Sequence, residues 1–205
     1  MRHYVYDFDS TLYATQTVWE VWSEMLIGAG FDAASVFAAY QEVLPRGYSP
    51  IKHADALGVS DALRYDLIVR FRAILTDRSP SLLFDDVAPF VESRRDVHRQ
   101  TILTQGDEEH QWEKMRASGI DLLVPRVVIT VPDGSKTERL AEMLAEDPTP
   151  ITFVDDNPHH LTRVHASGLP ITIVRMMRPG ETLAIAPHEL DGVAWKVVSS
   201  LRELD

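Results

Sequence analysis

The feature of this sequence that most constrains its fold is a regular alternation of short β-branched runs with helical stretches, which begins near residue 80. The runs are "TILT" at 101–104, "VVIT" at 127–130, "ITFV" at 151–154 and "ITIV" at 171–174. An earlier strand pattern lies at the N-terminus, in "RHYVYDFDST". Strand followed by helix, repeated several times, is typical of a parallel sheet with helices on both faces. We therefore predict an α/β core with a doubly wound, Rossmann-like parallel sheet.

The block from residue 15 to about 78 differs from the rest, because it shows helical periodicity and no strand pattern. Its apolar residues recur at helical spacing in three stripes, at 18–26, 36–44 and 63–75. Turn-forming segments, "GAGFD", "PRGYSP" and "DRSPS", separate and end the stripes. These patterns predict a core made of residues 1–14 and 80–205, with a helical cap domain, 15–79, inserted after the first strand. The tail "GVAWKVVSSLREL" predicts an amphipathic closing helix.

Composition narrows the class of protein. The 205 residues are 45% apolar and 25% charged, as in a soluble globular protein. No apolar run approaches the roughly 20 residues of a membrane span, and the first residues lack the pattern of a secretory signal. We expect a cytoplasmic protein without a membrane partner. The net charge of −11 argues against nucleic acid as a partner, and the absence of cysteine excludes disulfides and thiolate chemistry.

Polar residues follow the predicted strands where each strand ends. Asp7 and Asp9 end the first strand, and their spacing points both carboxylates the same way. Two like charges held this close repel each other unless a cation or a shared proton compensates. The other strands contribute further polar residues at their ends, namely Thr104, Gln105, Gly106, Asp155, Asp156 and Asn157. Parallel sheets bind ligands at this edge, so these side chains predict a functional site there.

Two helix starts near this edge carry additional information. Pro158 fits the first helical position after Asn157, which predicts that Asn157 caps a helix. Ser135 and Glu138 have the spacing of a capping box, which places Lys136 in the first turn of a helix. A cation there opposes the helix dipole, so an anion at the edge of the sheet explains it better than helix propensity. That anion could be the carboxylates, a phosphate, or both.

Other residues have simpler interpretations. His159 and His160 are predicted to be exposed first-turn residues, and Met176 and Met177 to be core residues at a strand end. The tryptophans at 19 and 22 are predicted to pack within the helical block.

The four polar segments resemble the four motifs of the haloacid dehalogenase superfamily. In chain order they read "DFDST", "TILTQG", "SKTERL" and "FVDDNP". The helical block is similar to the small cap that many members carry after the first strand. Ser10 stands where many relatives have glycine, a change we expect to be neutral. The resemblance implies a hydrolase of the phosphatase type, which forms an aspartyl-phosphate intermediate on a small phosphorylated substrate.

Carried over residue by residue, the resemblance assigns roles to the motif residues. Asp7 would be the nucleophile, and Asp9 the general acid/base that carries a proton when the reaction begins. Thr104, Gln105 and Lys136 would bind the substrate phosphate. The resemblance also implies Mg²⁺ as the cofactor.

The implied magnesium ligands are carboxylates and one backbone oxygen. Asp7, Asp156 and the backbone carbonyl of Asp9 would bind the ion directly, and Asp155 through a water molecule. Oxygen ligands of this kind are the ones that Mg²⁺ prefers.

The sequence leaves alternatives open. A sugar-phosphate mutase differs only in the acceptor of the phosphoryl group, and a receiver-like signalling domain also uses clustered acids, although in another order. Dehalogenases and phosphonate-cleaving members lack an acid at the position of Asp9, so we set both aside. Substrate identity and oligomeric state stay open; the cationic candidates for specificity in the helical block are Arg46, Lys52, His53 and Arg64.

Overall fold

The computed structural model describes residues 1–131, 135–181 and 196–204. Its strands are β1 (His3–Tyr6), β2 (Arg99–Gln105), β3 (Val127–Thr130), β4 (Ile151–Asp155), β5 (Thr172–Met176) and β6 (Lys196–Val198). Its helices are α1 (Thr15–Gly28), α2 (Ala33–Val43), α3 (Pro50–Ala56), α4 (Asp61–Arg78), α5 (Val87–Arg94), α6 (Glu108–Ser118), α7 (Ile120–Leu123), α8 (Lys136–Glu146) and α9 (Pro158–Ala166). No helix within the described residues is long and apolar enough to cross a membrane.

The strands form one parallel sheet in the order β3-β2-β1-β4-β5-β6. β1 is central, and its Tyr6 pairs with Ile102 of β2 on one side and Val154 of β4 on the other. The predicted doubly wound α/β fold is therefore confirmed. Because β1, β2 and β4 are neighbours and parallel, their carboxyl ends lie side by side at one edge of the sheet.

Helices cover the sheet on both faces, and β1 shows why. Its side chains alternate, so Tyr4 and Tyr6 contribute to one apolar cluster and Val5 to another. The cluster around the tyrosines includes α5 and extends into the helical insertion, while Leu140 of α8 and Leu161 of α9 pack with Val5. Every residue of β1 is buried, as expected for a central strand with helices on both sides.

The insertion between β1 and β2 folds around one buried tryptophan. Trp22 of α1 is fully buried, and its indole Nε1 donates to Nδ1 of His53 over 3.1 Å. The other ring nitrogen of His53 hydrogen-bonds the carbonyl of Val36 over 2.9 Å. Burial lowers the pKa of His53, so the ring is neutral and donates to that carbonyl. These bonds join α1, α2 and α3, which confirms the packing role predicted for Trp22.

Both ends of the insertion lie side by side. The amide of Ala14 donates to the carbonyl of Leu82 over 2.8 Å, and Tyr13 forms an isolated antiparallel bridge with Leu83. The hydroxyl groups of Tyr13 and Ser79 are 2.7 Å apart. The insertion is thus attached through two adjacent segments. That it acts as a separate cap domain stays a prediction.

The chain end differs from the sequence prediction. The amphipathic helix predicted in "GVAWKVVSSLREL" is wrong for the described part, where β6 and a 3-10 turn at Leu201–Leu204 are found. The β-branched pair Val197 and Val198 adds to the free edge of β5, and pairing with an existing strand outweighs helical periodicity. The remaining tail residues, 192–195, lie outside the described residues.

Candidate active site

A sharp turn after β1 places both aspartates of the first motif at the edge of the sheet. The amide of Asp7 donates to the carbonyl of Val154 over 2.8 Å, so the strand pairing continues one residue past β1. The carbonyl of Phe8 then accepts the amides of residues 11, 12 and 13, which turns the chain back. Ser10 has a φ of 55°, a left-handed conformation that favours glycine. A serine side chain at this φ carries backbone strain that a glycine would avoid, while the expected neutrality of this residue stays a prediction.

Lys136 joins two of the predicted site residues. Its ammonium group lies 2.5 Å from Asp7 Oδ1 and 2.7 Å from Asp155 Oδ2, and all three side chains are buried. Lys136 lies in the first turn of α8 as predicted, but the capping box is not formed, since the Ser135 side chain accepts no capping hydrogen bond. The ion pairs of Lys136 hold the helix start at the sheet instead.

Three carboxylates form a cluster here, and the ammonium group of Lys136 contacts two of them. Ligand oxygens of Asp7, Asp155 and Asp156 all lie within 4.8 Å of one another. Burial raises the pKa of Asp7 to about 6, although Lys136 opposes the shift. Burial, followed by the charges of Asp155 and Asp7, raises the pKa of Asp156 well above its ordinary value. The cluster has more negative charge than Lys136 neutralises.

Asp155 behaves differently from its neighbours in the cluster. Burial raises the pKa of this carboxyl, but Lys136 and His160 more than offset that effect and lower it below its ordinary value. Its Oδ1 accepts the amide of Asn157 over 2.8 Å, and Nδ1 of His160 lies 3.2 Å from Oδ2. His160 is partly buried at this contact, so the predicted exposure of its side chain is wrong. The reason is that His160, in the first turn of α9, lies close enough to the end of β4 to contact Asp155.

Asp9 has a lysine of its own, which the sequence analysis missed. Lys114 of α6 lies 2.5 Å from Asp9 Oδ1, which also accepts the hydroxyl of Thr15 over 2.7 Å. Gln111 Nε2 donates to Asp9 Oδ2 over 2.8 Å. Burial raises the pKa of Asp9, but Lys114, Thr15 and Gln111 together lower it to about 2. The expectation that Asp9 carries a proton is therefore wrong for the free protein: Asp7 and Asp9 are tolerated side by side because each has its own ammonium partner.

A signal for Lys114 and Gln111 was present in the sequence of α6. Residues 111, 114, 115 and 118 have the spacing of a buried helical stripe, and in the structure all four are buried. Such a stripe is normally apolar, but here it contains glutamine, lysine and serine beside Met115. Polar residues on the buried face of a helix require partners inside the protein. Asp9 is the partner of Lys114, and Asp9 and Thr104 are partners of Gln111. The Ser118 hydroxyl donates to the carbonyl of Met115.

The other predicted site residues also lie at this edge. Thr104 is buried and its hydroxyl accepts Gln111 Nε2 over 2.7 Å, while Gln105 lines the adjoining cavity. Asn157 caps α9 as predicted, since its side chain accepts the amide of His159 over 2.9 Å. Met176 is buried as predicted, but Met177 is half exposed, because it follows β5 on the opposite face.

A cavity of about 720 Å³ lies between this edge of the sheet and the helical insertion. The sheet side contributes all the predicted catalytic, phosphate-binding and metal-binding residues except Asp155, and α6 contributes His110, Gln111 and Lys114. The insertion contributes mainly apolar and aromatic side chains, which are Val18, Trp19, Trp22, Tyr40, Leu44, Pro45, Tyr48 and Phe71. The four specificity candidates from the sequence, Arg46, Lys52, His53 and Arg64, do not line it.

Each of those four candidates has a structural partner instead. Arg46 pairs with Glu42, and Arg64 with Asp55 and Asp61. Lys52 pairs with Asp107 over 2.9 Å, and His53 is buried beneath Trp22 as described above.

No protein-family model and no curated protein matches the sequence. The fold, however, matches solved structures. A haloacid dehalogenase-like hydrolase from Burkholderia xenovorans LB400 is 20% identical with a TM-score of 0.78, covering 98% of this chain and 94% of that chain.

Two further structures are also similar. A HAD family hydrolase from Deinococcus radiodurans R1, with bound phosphate and sodium, is 17% identical with a TM-score of 0.65. The match covers 100% of this chain and 93% of that chain. A dehalogenase with an intermediate complex is 17% identical with a TM-score of 0.66, and the match covers 100% of this chain and 95% of that chain. The chain has the fold of the haloacid dehalogenase-like hydrolases, and these three matches cover 98–100% of it.

Proposed function

We propose that this chain is a Mg²⁺-dependent phosphomonoester hydrolase of the haloacid dehalogenase superfamily, with Asp7 as the nucleophile. The observation that carries the proposal is the pair of aspartates at the end of β1, each bound to a different buried lysine. Asp7 belongs to the carboxylate cluster, whereas Asp9 faces the cavity from a separate hydrogen-bond network. Two carboxylates in different environments are suited to different chemical roles.

The residues around Asp7 fit a magnesium ion. Three carboxylates with one ammonium group leave negative charge, and oxygen is the ligand type that Mg²⁺ prefers. Both oxygens of Asp155 already accept hydrogen bonds, from the Asn157 amide and from Lys136. Asp156 accepts no such bond from any residue that the structure describes, so it is better placed to be a direct ligand, with Asp155 bound through water. When bound, Mg²⁺ would neutralise charge on the phosphate and on Asp7.

The protein side chains supply the remaining chemistry. One carboxylate oxygen of Asp7 attacks phosphorus, the ester bond to the leaving oxygen breaks, and an aspartyl phosphate forms. Lys136 stays beside Asp7 and the phosphate, while the Thr104 hydroxyl, positioned by Gln111, donates to a phosphoryl oxygen. Asp9 transfers a proton to the leaving oxygen and afterwards removes one from the attacking water.

The protonation of Asp9 must change during this sequence. In the free protein Lys114 favours the ionised carboxylate, the form needed to activate water in the second step. The first step needs the protonated form. A phosphate dianion beside Asp9 favours that form, because a like charge raises the pKa of a carboxyl group.

The acid at position 9 favours a phosphatase over a dehalogenase, since the leaving oxygen of a phosphate ester needs a proton and a halide does not. The cavity also argues against a mutase. A mutase must bind a phosphate at either end of its substrate, but Lys114 and Lys136 are both paired with aspartates at one end. Among the described residues, only the exposed Arg163 is then left at the cavity for a second phosphate.

The test is detection of the covalent intermediate. We expect phosphate release from phosphomonoesters with Mg²⁺, and a phosphorylated protein by intact mass after acid quench. Asp7→Asn should show neither, with turnover reduced roughly 10⁴-fold or more, as is typical when a nucleophile is removed. The matched control is Asp85→Asn, because Asp85 is exposed and outside the cavity. Halide release from haloacids without phosphate release would contradict the proposal.

A further inference from the structure

The wall of the cavity that the insertion contributes is aromatic. Trp19 of α1, Tyr40 of α2 and Tyr48 of the following segment all line it and are each partly buried. The ring centroids of Trp19 and Tyr40 are 4.3 Å apart, and those of Tyr40 and Tyr48 are 5.3 Å apart. Contiguous rings of this kind favour contact with another ring, in stacked or edge-to-face geometry.

The same cavity lacks a free cation deep inside it. Among the described residues, three lysine or arginine side chains line the cavity: Lys114, Lys136 and Arg163. Both lysines form ion pairs with aspartates, and Arg163 is an exposed residue of α9. A second anionic group on a substrate would have only Arg163, on the exposed side of α9, to bind, and no cation near the insertion wall among the described residues. It would also approach the carboxylates at the edge of the sheet.

One buried polar atom points to the same conclusion. Gln111 Nε2 donates to Asp9, Thr104 and the carbonyl of Gln105, which identifies the opposite atom as the oxygen. That oxygen, Oε1, is buried and has no hydrogen-bond partner among the described residues. Because the amide hydrogens of Gln111 are already used and its oxygen is enclosed, this side chain offers no donor to a second anionic group on a substrate.

The size of the cavity excludes a phosphate alone as its natural content. About 720 Å³ lies within the range of roughly 300–1,000 Å³ for pockets that enclose ring-containing small molecules. The phosphate occupies only the end near Lys136. The aromatic wall is left for the alcohol part of the ester.

From these observations we infer that the substrate is a phosphomonoester whose alcohol carries an uncharged aromatic ring, which packs against Trp19, Tyr40 and Tyr48. This inference rests on the proposed phosphatase function and specifies its substrate class. It excludes phosphorylated carboxylic acids and bisphosphates as preferred substrates.

The first experiment compares esters of primary alcohols, so that binding rather than leaving-group reactivity decides the rate. We expect kcat/KM for 2-phenylethyl phosphate to exceed that for ethyl phosphate, and to exceed that for 2-carboxyethyl phosphate at least about tenfold. Equal values, or a preference for the carboxylate, would overturn the inference while leaving the phosphatase function intact. No phosphate release from any of the three would contradict both.

The second experiment tests the aromatic wall itself. Trp19→Ala should lower kcat/KM for 2-phenylethyl phosphate about tenfold more than for ethyl phosphate, because only the former contacts the ring. Tyr40→Leu, which keeps an apolar side chain, should lower the same ratio if Trp19→Ala fails to fold. The matched control is Tyr65→Ala, since Tyr65 is 75% exposed on α4 and outside the cavity. A wild-type ratio in a folded Trp19→Ala or Tyr40→Leu protein would overturn the inference.

Discussion

The two walls of the cavity are stabilised in different ways. On the sheet side, the aspartates that end β1 accept hydrogen bonds of 2.5–2.8 Å from lysine, threonine or glutamine side chains. On the insertion side, ring contacts between Trp19, Tyr40 and Tyr48 predominate. The first wall is charged and built from strand ends and α6, whereas the second is apolar and built from helices of the insertion.

This difference separates the consequences of substitution. Removing one member of a buried ion pair leaves an uncompensated charge, which is costly and alters the chemistry for every substrate. Shortening an apolar side chain removes contact area only, which changes the preference among substrates. Substitutions in the sheet wall should therefore lower the rate for every substrate, whereas substitutions in the insertion wall should change the preference among substrates.

The largest effect is expected for the carboxylate cluster. Asp156→Ala, or an excess of chelator, should reduce phosphate release roughly 10³-fold for all substrates, because several kcal/mol of charge stabilisation are lost. Steady-state assays with and without Mg²⁺ measure this, with Asp85→Ala as the control. Full turnover in excess chelator would show that phosphate release does not require a metal ion.

The next effect separates Asp9 from Asp7 within the same wall. Asp9→Asn should slow turnover roughly 10²–10⁴-fold, as expected for loss of a general acid/base. An aryl phosphate has a leaving group that needs no proton, so with this substrate only the second step should suffer. The phosphorylated protein should then accumulate and be visible by intact mass. Phosphate found on Asp9, or an adduct in Asp7→Asn, would show that the nucleophile is assigned wrongly.

A third prediction concerns stability rather than rate. Lys114→Met should lower the free energy of unfolding by about 2–3 kcal/mol, somewhat less than for a fully buried pair, because Asp9 is partly exposed. Adding Asp9→Asn should recover part of this loss, since no charge is then left unpaired. Urea unfolding of both variants measures it. Lys52→Met is the matched control, with a change below about 1 kcal/mol because its ion pair is exposed. Equal losses in the single and double variants would contradict the pairing.

The smallest effect concerns the position of the insertion wall relative to the sheet wall. The segments Ala14–Thr15 and Ser79–Pro80 connect the insertion to the core, so we expect them to act as hinges, with closing motions in the μs–ms range. Lys52 and Arg72 of the insertion pair with Asp107 and Glu113 of the core in the structure described here. Amide exchange in residues 15–78 should slow when Mg²⁺ and phosphate are added. Identical exchange with and without them would indicate a fixed wall.

Much of the sheet wall could be predicted from the sequence. Strand periodicity and chain order indicate a parallel sheet, and the polar residues at strand ends then meet at one edge. The polar stripe of α6 indicates that Lys114 needs a buried partner, but it does not identify Asp9, which is 105 residues away in sequence. His160 escaped prediction for a similar reason: its contact with Asp155 depends on how α9 lies against β4. The helix predicted for the tail is wrong because β6 pairs with the edge strand β5, and local periodicity does not reveal such a pairing.

The sequence by itself determined the alternation of strands and helices, the position of the helical insertion and the acids at the strand ends, because each follows from local periodicity and chain order. Only the tertiary structure decided which lysine pairs with which aspartate and which residues face the cavity. Lys52 and His53 illustrate this, since a polar residue on a helix can face solvent, the core or a site. Lys52 pairs with Asp107, and His53 is buried against the carbonyl of Val36. Charge pairing and cavity walls depend on the packing of distant elements, so composition and spacing do not specify them.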